Sequence, residues 1–330
     1  MAANVAAAGA FAREELLPRS GNPVPRDTPE KRAALMQRHA AIRSIFIHNP
    51  NHVGVFKSLD MVIALGSKGA YQTGVRNAAE SFAGKSSSAD EFARIIGRRG
   101  TYPADARPVV RVELEQACTP KRFWLAILAA YGDGFASSKD EEQLRRSAYE
   151  AFERHNTVLL VIDEVQHSGY RSKGFSAPTD VIKRFISDAQ VGLGLFGNEK
   201  AKEILESNNQ LSHRLLPPCD IQPLNLADPA ERKSFRSFVR KYDKALADKQ
   251  LFASSPDLHD ERALTCLMAV SKGFLGRFVA LAQVAARQAF LRDADAIELC
   301  DLSFACTTWA VGQKLAQHDP FRFGAGVMHA

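Results

Sequence analysis

The sequence predicts an α/β fold in which a parallel five-stranded sheet is sandwiched by helices and followed by an all-helical region. Short apolar runs at 59–65, 109–114, 158–162, 191–196 and 221–226 are typical of buried strands, and helical patterns separate most of them. Past residue 226 the patterns are helical only, at 228–247, 257–272, 274–292 and 298–316. Alternation of strands and helices favours a parallel sheet.

Composition sets broad limits on the function. The chain has 330 residues, 45% of them hydrophobic, which is enough for one large domain or two smaller ones. No apolar run approaches the length of about 18 residues that a membrane span needs. The five cysteines form no CxxC pair, so we expect reduced thiols in a cytoplasmic protein without membrane contact. The net charge of +6 permits an acidic partner such as nucleic acid but does not require one.

The same patterns divide the chain into four parts. We expect a flexible leader over 1–30, because Pro23, Pro25 and Pro29 interrupt a segment without periodicity. The α/β core covers 31–226, a helical lid covers 227–316, and a C-terminal tail covers 317–330. The leader and the tail, which carries Phe321 and Phe323, are candidate partner-binding segments.

The run 158–162 ends in two acids, Asp163 and Glu164. Ligands of open α/β sheets collect at the carboxyl edge, where these acids would lie. An apolar strand ending in Asp-Glu is typical of a Walker B motif, whose first acid holds Mg²⁺ and whose second polarises an attacking water. The alternative is a buried strand followed by an ordinary acidic turn.

A Gly-rich segment follows the run 59–65 and precedes a predicted helix at 74–82. Compared with the phosphate-loop template GxxxxGK[ST], Gly66 and Thr73 fit the first and last positions, whereas Tyr71 and Gln72 replace the Gly and the Lys. Glutamine offers only a neutral donor where the lysine neutralises phosphate charge, although Lys68 could swing inward. The sequence therefore predicts a loop with the architecture of a phosphate site but with weakened phosphate binding. The predicted loop consists of Gly66, Ser67, Lys68, Gly69, Ala70, Tyr71, Gln72 and Thr73.

Three further polar residues stand next to predicted elements. Asn198 follows the run 191–196, where it either orients a reacting water or caps the next helix. Arg214 precedes the run 221–226. Arg277 lies in the first turns of a predicted helix, where acids are normally favoured, so it either faces an anion or is a surface residue.

This order of motifs resembles that of AAA+ proteins, and several local sequence segments indicate a more specific family. The segments IDEVQH, LFGNEKAKEIL, NNQLSHRL, GFLGRFVALAQVAARQA and AIELCDL resemble AAA+ transposition regulators of the TniB/TnsC type, with the phage MuB protein as a more distant relative. The resemblance covers roughly residues 35–305.

The resemblance implies a role for each candidate residue. Asp163 and Thr73 would face Mg²⁺, Glu164 would be the catalytic base, and Asn198 would be sensor 1. Arg214 would reach a neighbouring subunit's nucleotide, and Arg277 would be sensor 2. Family members bind ATP and assemble as rings or helical filaments on double-stranded DNA. They deliver a target site to a DDE transposase, together with a target-selection protein. Gln72 departs from the family at the Walker A lysine.

Two hypotheses follow. The first is a transposition regulator that oligomerises on target DNA in a nucleotide-dependent way, with weak hydrolysis. The alternative is a catalytically inactive AAA+ adaptor, a pseudo-ATPase that acts through protein contacts. The Asp163-Glu164 pair and both arginines favour the first, whereas Tyr71 and Gln72 favour the second. An unrelated phosphate-loop enzyme is disfavoured because no separate substrate motif is present.

Overall fold

The computed structural model describes residues 10–25, 28–67, 73–99, 101–116, 118–133, 139–169, 178–188, 191–207 and 209–326. The chain forms two compact units. The sheet unit covers residues 48–222, and the helical unit combines residues 1–47 with residues 223–330. The helical unit therefore takes in residues that the sequence divides between a leader and the α/β core.

Four strands are interspersed with helices up to residue 212, and the regular elements in the described residues after it are all helical. In chain order the elements are α1 (Pro29–Arg43), α2 (Pro50–Ser67), β1 (Gly74–Ala78), α3 (Lys85–Gly97), β2 (Val109–Glu113), α4 (Pro120–Ala130), α5 (Glu141–Arg154), β3 (Leu159–Asp163), a 3₁₀ turn (Val165–Gly169), α6 (Pro178–Asp188), β4 (Gly192–Gly197), α7 (Glu199–Glu206), α8 (Asn209–Ser212), α9 (Pro229–Asp248), a second 3₁₀ turn (Pro256–Leu258), α10 (Glu261–Ser271), α11 (Leu275–Leu291), α12 (Leu299–Ala305), which continues as a π-helix (Cys306–Val311), and α13 (Pro320–Phe323).

The four strands form a parallel sheet in the order β1-β4-β3-β2. Every residue of β1, β3 and β4 is buried, which explains why β3 and β4 are continuous apolar runs with no polar alternation. The structure confirms the predicted α/β class, with its parallel sheet and the helical region after it. The strands predicted at 109–114, 158–162 and 191–196 lie within one residue of β2, β3 and β4.

The strand predicted at 59–65 is wrong, because this run belongs to α2. Leu59 and Val62, one helical turn apart, are fully buried against the sheet. Gly194 and Gly192 make room for them, since a Cβ on Gly192 would lie 2.4 Å from Val62 Cγ1 and one on Gly194 would lie 3.3 Å from Leu59 Cδ2. A short apolar run is ambiguous between a buried strand and a buried helix face, and here the helix prevails.

The helix predicted at 74–82 is also wrong, because residues 74–78 form β1. The polar residues Arg76 and Asn77 hide this strand in the sequence. Arg76 is nevertheless buried, and its guanidinium pairs with Glu206 at 2.7 Å and Asp220 at 2.9 Å. Tertiary ion pairs thus let a polar segment occupy the sheet.

The fifth strand predicted at 221–226 is not a strand in the structure. Residues 215–219 run along the free edge of β1 instead, with the amides of Leu216 and Cys219 donating to the carbonyls of Gly74 (2.8 Å) and Arg76 (2.9 Å). The intervening residues 217–218 are both proline and lack the N–H groups that a regular ladder needs. Among the described residues, this irregular segment extends a four-stranded sheet.

The helical unit has its own core, to which α9, α10, α11 and α12 contribute most side chains. The helices predicted for this region are confirmed with small shifts of their ends. Phe11, from the predicted leader, packs on Phe321 with a ring separation of 6.3 Å, and its amide donates to the Phe321 carbonyl at 2.9 Å. Phe321 is fully buried, so the prediction of an exposed aromatic holds for Phe323 only.

Two observations bear on membrane insertion. No single described helix is both long and apolar enough to cross a membrane. Together, α10 and α11 meet that test, but they are bent by 116° at the break between them.

Candidate functional site

The turn between β1 and α3 lies at the carboxyl edge of the sheet. It continues into α3 with the sequence Ala-Glu-Ser-Phe-Ala-Gly-Lys-Ser over residues 79–86. Gly84, Lys85 and Ser86 fit the last three positions of the template GxxxxGK[ST], and Ala79 replaces its first Gly. The strand–turn–helix context that a phosphate loop requires is therefore present here.

The backbone of this turn is shaped as anion-binding loops are. Phe82 and Gly84 have positive φ angles of 66° and 95°, and turns that mix backbone handedness group successive amides into a concave nest. Gly84 caps α3 without a side-chain hydrogen bond, so the first amides of this helix have no side-chain cap. Ala79 extends β1, its amide donating to the Gly197 carbonyl at 3.0 Å, and its φ is not positive, so alanine fits where the template has glycine.

Lys85 is held inside this turn. Its side chain is buried, and Nζ donates to the carbonyls of Ala79 at 2.6 Å and Glu80 at 3.0 Å. Burial lowers the pKa of the Lys85 ammonium, and the charges of Asp163 and Glu164 oppose that shift only in part. The loop thus contains a cation whose partners are neutral carbonyls, which an anion can replace.

Asp163 ends β3 and is almost completely buried. Its carboxylate accepts hydrogen bonds from Ser86 Oγ at 2.5 Å, from the Glu164 amide at 3.0 Å and from Arg111 Nη1 at 3.3 Å. Arg111, on the adjacent strand β2, also pairs with Asp90 of α3 at 2.7 Å. The last residue of the phosphate-loop pattern is therefore in direct contact with the first acid after the apolar strand.

The Ser86–Asp163 contact is a candidate site for Mg²⁺. A hydroxyl and a carboxylate oxygen lie together at the N-terminus of α3, and Mg²⁺ prefers hard oxygen ligands supplied by one or two carboxylates, waters and phosphates. These residues fit the ion.

Glu164 and Asn198 are joined through a glutamine. Gln166 Nε2 donates to the Glu164 carboxylate, and Gln166 Oε1 accepts from the backbone N–H of Asn198 at 3.3 Å. Asn198 Oδ1 accepts from the amides of Lys200 at 3.0 Å and Ala201 at 3.4 Å, which confirms the capping interpretation. The structure therefore brings the predicted base and the predicted sensor into one hydrogen-bonded chain.

Thr73 and Arg214 lie at the opposite edge of the sheet. Thr73 Oγ1 donates to the Arg214 carbonyl at 2.8 Å just before β1 begins, so Thr73 and Asp163 do not share the Mg²⁺ site that the sequence predicts. Parallel strands carry their first residues at one edge and their last residues at the other. Six residues of extended chain separate Thr73 from Ala79, about 20 Å. The exposed Arg214 side chain donates to the Lys183 carbonyl at 3.4 Å.

Arg277 lies in the first turn of α11, as predicted. Its side chain is buried, and its guanidinium lies over the Phe274 ring at 4.3 Å from the ring centroid. Its proposed contact with nucleotide stays a prediction.

The phosphate loop predicted at 66–73 lacks the required strand–turn–helix context. Gly66 and Ser67 end α2, and Thr73 leads into β1. Lys68, Gly69, Ala70, Tyr71 and Gln72 lie outside the described residues. The correct register places Lys85, not Gln72, at the lysine position.

Sequence reasoning missed Lys85, Ser86, Arg111 and Gln166. The tripeptide Gly-Lys-Ser at 84–86 was a signal for the first two. Reading β1 as a helix concealed it, because a phosphate loop must follow a strand. No local pattern marks Arg111 or Gln166, whose roles arise from contacts between separate elements.

One family model and several solved structures resemble this chain. The family model described as bacterial TniB protein matches residues 60–219, which include the turn 79–86, Asp163, Glu164, Asn198 and Arg214. A search of curated protein sequences gave no match.

Solved structures with a similar fold include three archaeal proteins. The Aeropyrum pernix ORC1 protein in complex with DNA matches with a TM-score of 0.54 and 16% identity, covering 90% of this chain and 69% of that one. Cdc6p from Pyrobaculum aerophilum matches with a TM-score of 0.56 and 9% identity over 82% and 70%. The Aeropyrum pernix ORC2 protein, in ADPNP-ADP complexes, matches with a TM-score of 0.54 and 10% identity over 91% and 72%. At these identities the likeness concerns the fold alone.

Proposed function

Because the TniB family model matches residues 60–219 and the fold is similar to that of ORC and Cdc6 proteins, we propose that this chain is an AAA+ ATP-binding regulator of DNA transposition. It would bind ATP at the turn 79–86 and oligomerise on double-stranded DNA as a ring or helical filament. In that state it would recruit or activate a DDE transposase, together with a target-selection protein.

One observation carries the nucleotide part of this proposal. Lys85 and Ser86 follow β1 at the N-terminus of α3, and Ser86 Oγ contacts the carboxylate of Asp163 at 2.5 Å. A phosphate-loop lysine, a metal-facing hydroxyl and a Walker B acid are the parts that a nucleoside triphosphate with Mg²⁺ requires at one place. The match of the ORC2 protein, whose structure contains ADPNP and ADP, supports the same assignment.

Each residue then has a task that its contacts define. Lys85 would exchange the Ala79 and Glu80 carbonyls for phosphate oxygens, and the amides of the first turn of α3 would bind the same group. Asp163 and Ser86 would hold Mg²⁺, which when bound supplies neutralisation of phosphate charge. Glu164 would orient and polarise the water that attacks the γ-phosphorus as the bond to ADP breaks. Gln166 would hold Glu164 in place.

The position of Arg214 supports the assembly part of this proposal. Because it lies about 20 Å from the turn of its own chain, it would act on the nucleotide of a neighbouring subunit. An arginine supplied in trans makes hydrolysis depend on oligomer formation. The sensor 2 role of Arg277 rests on the resemblance to AAA+ proteins.

Tyr71 and Gln72 favour weak hydrolysis and the inactive adaptor only if residues 66–73 form the phosphate loop, with Gln72 at the lysine position. With Lys85 in that position, no residue of the described turn favours a pseudo-ATPase. We therefore expect ATP turnover, and we advance no second function.

The direct test is ATP-dependent assembly on DNA. Sedimentation with a duplex of arbitrary sequence should show large complexes with ATP and Mg²⁺ and few without them. Arg214→Ala should keep ATP binding but lose most of the assembly, whereas Arg146→Ala, on the exposed face of α5, should behave as wild type. Assembly that is equal with and without ATP would contradict the proposal.

A further inference from the structure

A groove in the helical unit lies outside the site described above. It runs between α9 and α10 and encloses about 630 Å³. Four basic side chains from α9 line it, Arg232, Lys233, Arg236 and Arg240, against one acid from α10, Glu261. The excess of cations gives this groove an anion-binding character.

The three groove arginines belong to a longer row of cations along α9. Arg232, Arg236, Arg240 and Lys244 follow each other at intervals of four residues, which places them about 6 Å apart along the axis. The row is about 18 Å long. Its register is fixed, because α9 buries Phe235, Phe238, Val239, Tyr242 and Leu246 in the core of the helical unit. The row therefore cannot turn away from solvent.

Most of these charges have no acidic partner in the described part of the chain. Arg236 pairs with Glu261 at 2.6 Å, whereas Arg232, Lys233 and Arg240 are exposed and form no ion pair with a described carboxylate. Like charges four residues apart on a helix repel each other and destabilise it. An extended polyanion in the groove would remove that repulsion.

We infer that this groove binds the sugar-phosphate backbone of duplex DNA, an inference that rests on the DNA binding in the proposed function and locates one DNA contact in the helical unit. Duplex DNA carries one negative charge for about every 1.7 Å of its axis, so a duplex segment as long as the row carries about ten phosphates, of which those on the near side face the groove. Three of the four groove cations are arginines, whose planar guanidinium binds phosphate through paired hydrogen bonds.

Backbone contacts of this kind have a specific signature. They weaken with salt and are indifferent to base sequence, because neutralising phosphates releases counterions without reading base edges. Each lost arginine contact lowers the slope of log affinity against log salt by about 1.

The test measures DNA affinity of the full-length protein with ATP and Mg²⁺ by fluorescence anisotropy, on two duplexes of unrelated sequence, between about 50 and 200 mM salt. Arg232→Ala/Arg240→Ala should weaken binding to both duplexes equally and reduce the salt slope by about 2. Arg232→Lys/Arg240→Lys, which keeps the charge, should retain most of the slope. Arg146→Ala/Arg287→Ala removes two exposed arginines elsewhere and should leave the slope unchanged.

The outcomes separate this inference from the proposed function. If the wild type binds DNA with ATP and the alanine pair retains the wild-type slope, the groove is not the contact, while the proposed function stands. If the wild type does not bind duplex DNA at any salt, both the inference and the DNA part of the proposed function fail. Binding of poly-glutamate without binding of duplex would assign the groove to an acidic polypeptide and overturn the inference.

Discussion

At the scale of single residues, Arg111 links the buried acid of the site to α3. Its guanidinium lies 3.3 Å from one oxygen of Asp163 and 2.7 Å from Asp90. The same Asp163 oxygen accepts the hydroxyl of Ser86. A cation beside a metal-binding carboxylate competes with the metal for its charge. In the proposed Mg²⁺ site, Arg111 would therefore set how much Mg²⁺ is required.

Replacing Arg111 with glutamine should lower that requirement. With the competing charge removed, we expect nucleotide binding to reach half-saturation at about three- to tenfold less Mg²⁺, which corresponds to about 1 kcal/mol for a partly exposed ion pair. Titration of Mg²⁺ at fixed ATP measures it. Arg94→Gln, which breaks an α3 ion pair with Glu91 outside the site, is the control. An unchanged or higher Mg²⁺ requirement in Arg111→Gln would show that Arg111 does not compete.

Lys85 makes nucleotide binding sensitive to alkaline pH. Burial holds the pKa of its ammonium below the ordinary value of 10.5, and only the charged form can neutralise phosphate. ATP affinity should therefore fall as pH rises towards 10.5, earlier than for an ordinary lysine, and binding in that range should take up protons. Calorimetry from pH 7 to 10 measures both effects. In Lys85→Arg, whose guanidinium stays charged, the remaining affinity should not fall in this range.

At the scale of elements, the N-terminal segment is fastened to the helical unit through Arg292. This arginine is buried at the end of α11, bonds the Asp301 carboxylate twice at 2.9 Å and Glu298 at 3.2 Å, and donates to the Ser20 carbonyl at 2.9 Å. Ser20 Oγ donates to Glu298 at 2.5 Å. One buried cation thus joins the start of the chain to α12.

Removing this cation should be costly. Arg292→Ala leaves two buried carboxylates without their partner, so we expect a loss of about 3–5 kcal/mol in the free energy of unfolding of the helical unit. Urea unfolding followed by circular dichroism measures it. Arg287→Ala, four residues before the end of α11 and exposed, should change stability by less than about 0.5 kcal/mol. Equal stability of the two variants would contradict the role of Arg292.

The elements also show what sequence patterns could predict. The strands β2, β3 and β4 and the helices of the helical unit follow from apolar periodicity and caps, such as Thr119 before α4. The sequence patterns did not predict α2 as a helix or β1 as a strand. The helix α2 buries an apolar face that looks like a buried strand, and β1 contains Arg76, whose charge is compensated by Glu206 and Asp220, 130 and 144 positions away. Because α2 was predicted as a strand and β1 as a helix, the phosphate loop was predicted at residues 66–73, where Gln72 occupies the lysine position. In the turn 79–86 that position is occupied by Lys85. Asp163, Glu164 and Asn198 were found because their strands were.

At the scale of the whole molecule, the proposed nucleotide site combines residues from the two opposite edges of the sheet unit. The turn 79–86 and the acids lie at one edge, and Arg214 lies at the other. Head-to-tail association of copies would bring these edges together, and such contacts generate rings or open helical filaments.

Mixing two inactive variants tests this arrangement. Glu164→Gln and Arg214→Ala should each lower ATP turnover by about a hundredfold or more. In a mixture of equal parts, about a quarter of the interfaces combine an intact Glu164 with an intact Arg214, so measurable ATPase activity should return. A mixture that sediments as large complexes on DNA with ATP, yet is as inactive as its components, would show that Arg214 does not act across subunits.

We propose that Lys85, and not the residue at position 72, binds the phosphates of ATP. Calorimetric titration with ATP and Mg²⁺ of the wild type, Lys85→Ala and Gln72→Lys decides it. We expect micromolar binding by the wild type, at least a tenfold loss in Lys85→Ala from removal of a charge-assisted contact, and no change in Gln72→Lys. Unchanged affinity in Lys85→Ala together with tighter binding by Gln72→Lys would contradict the account and return the phosphate site to residues 66–73.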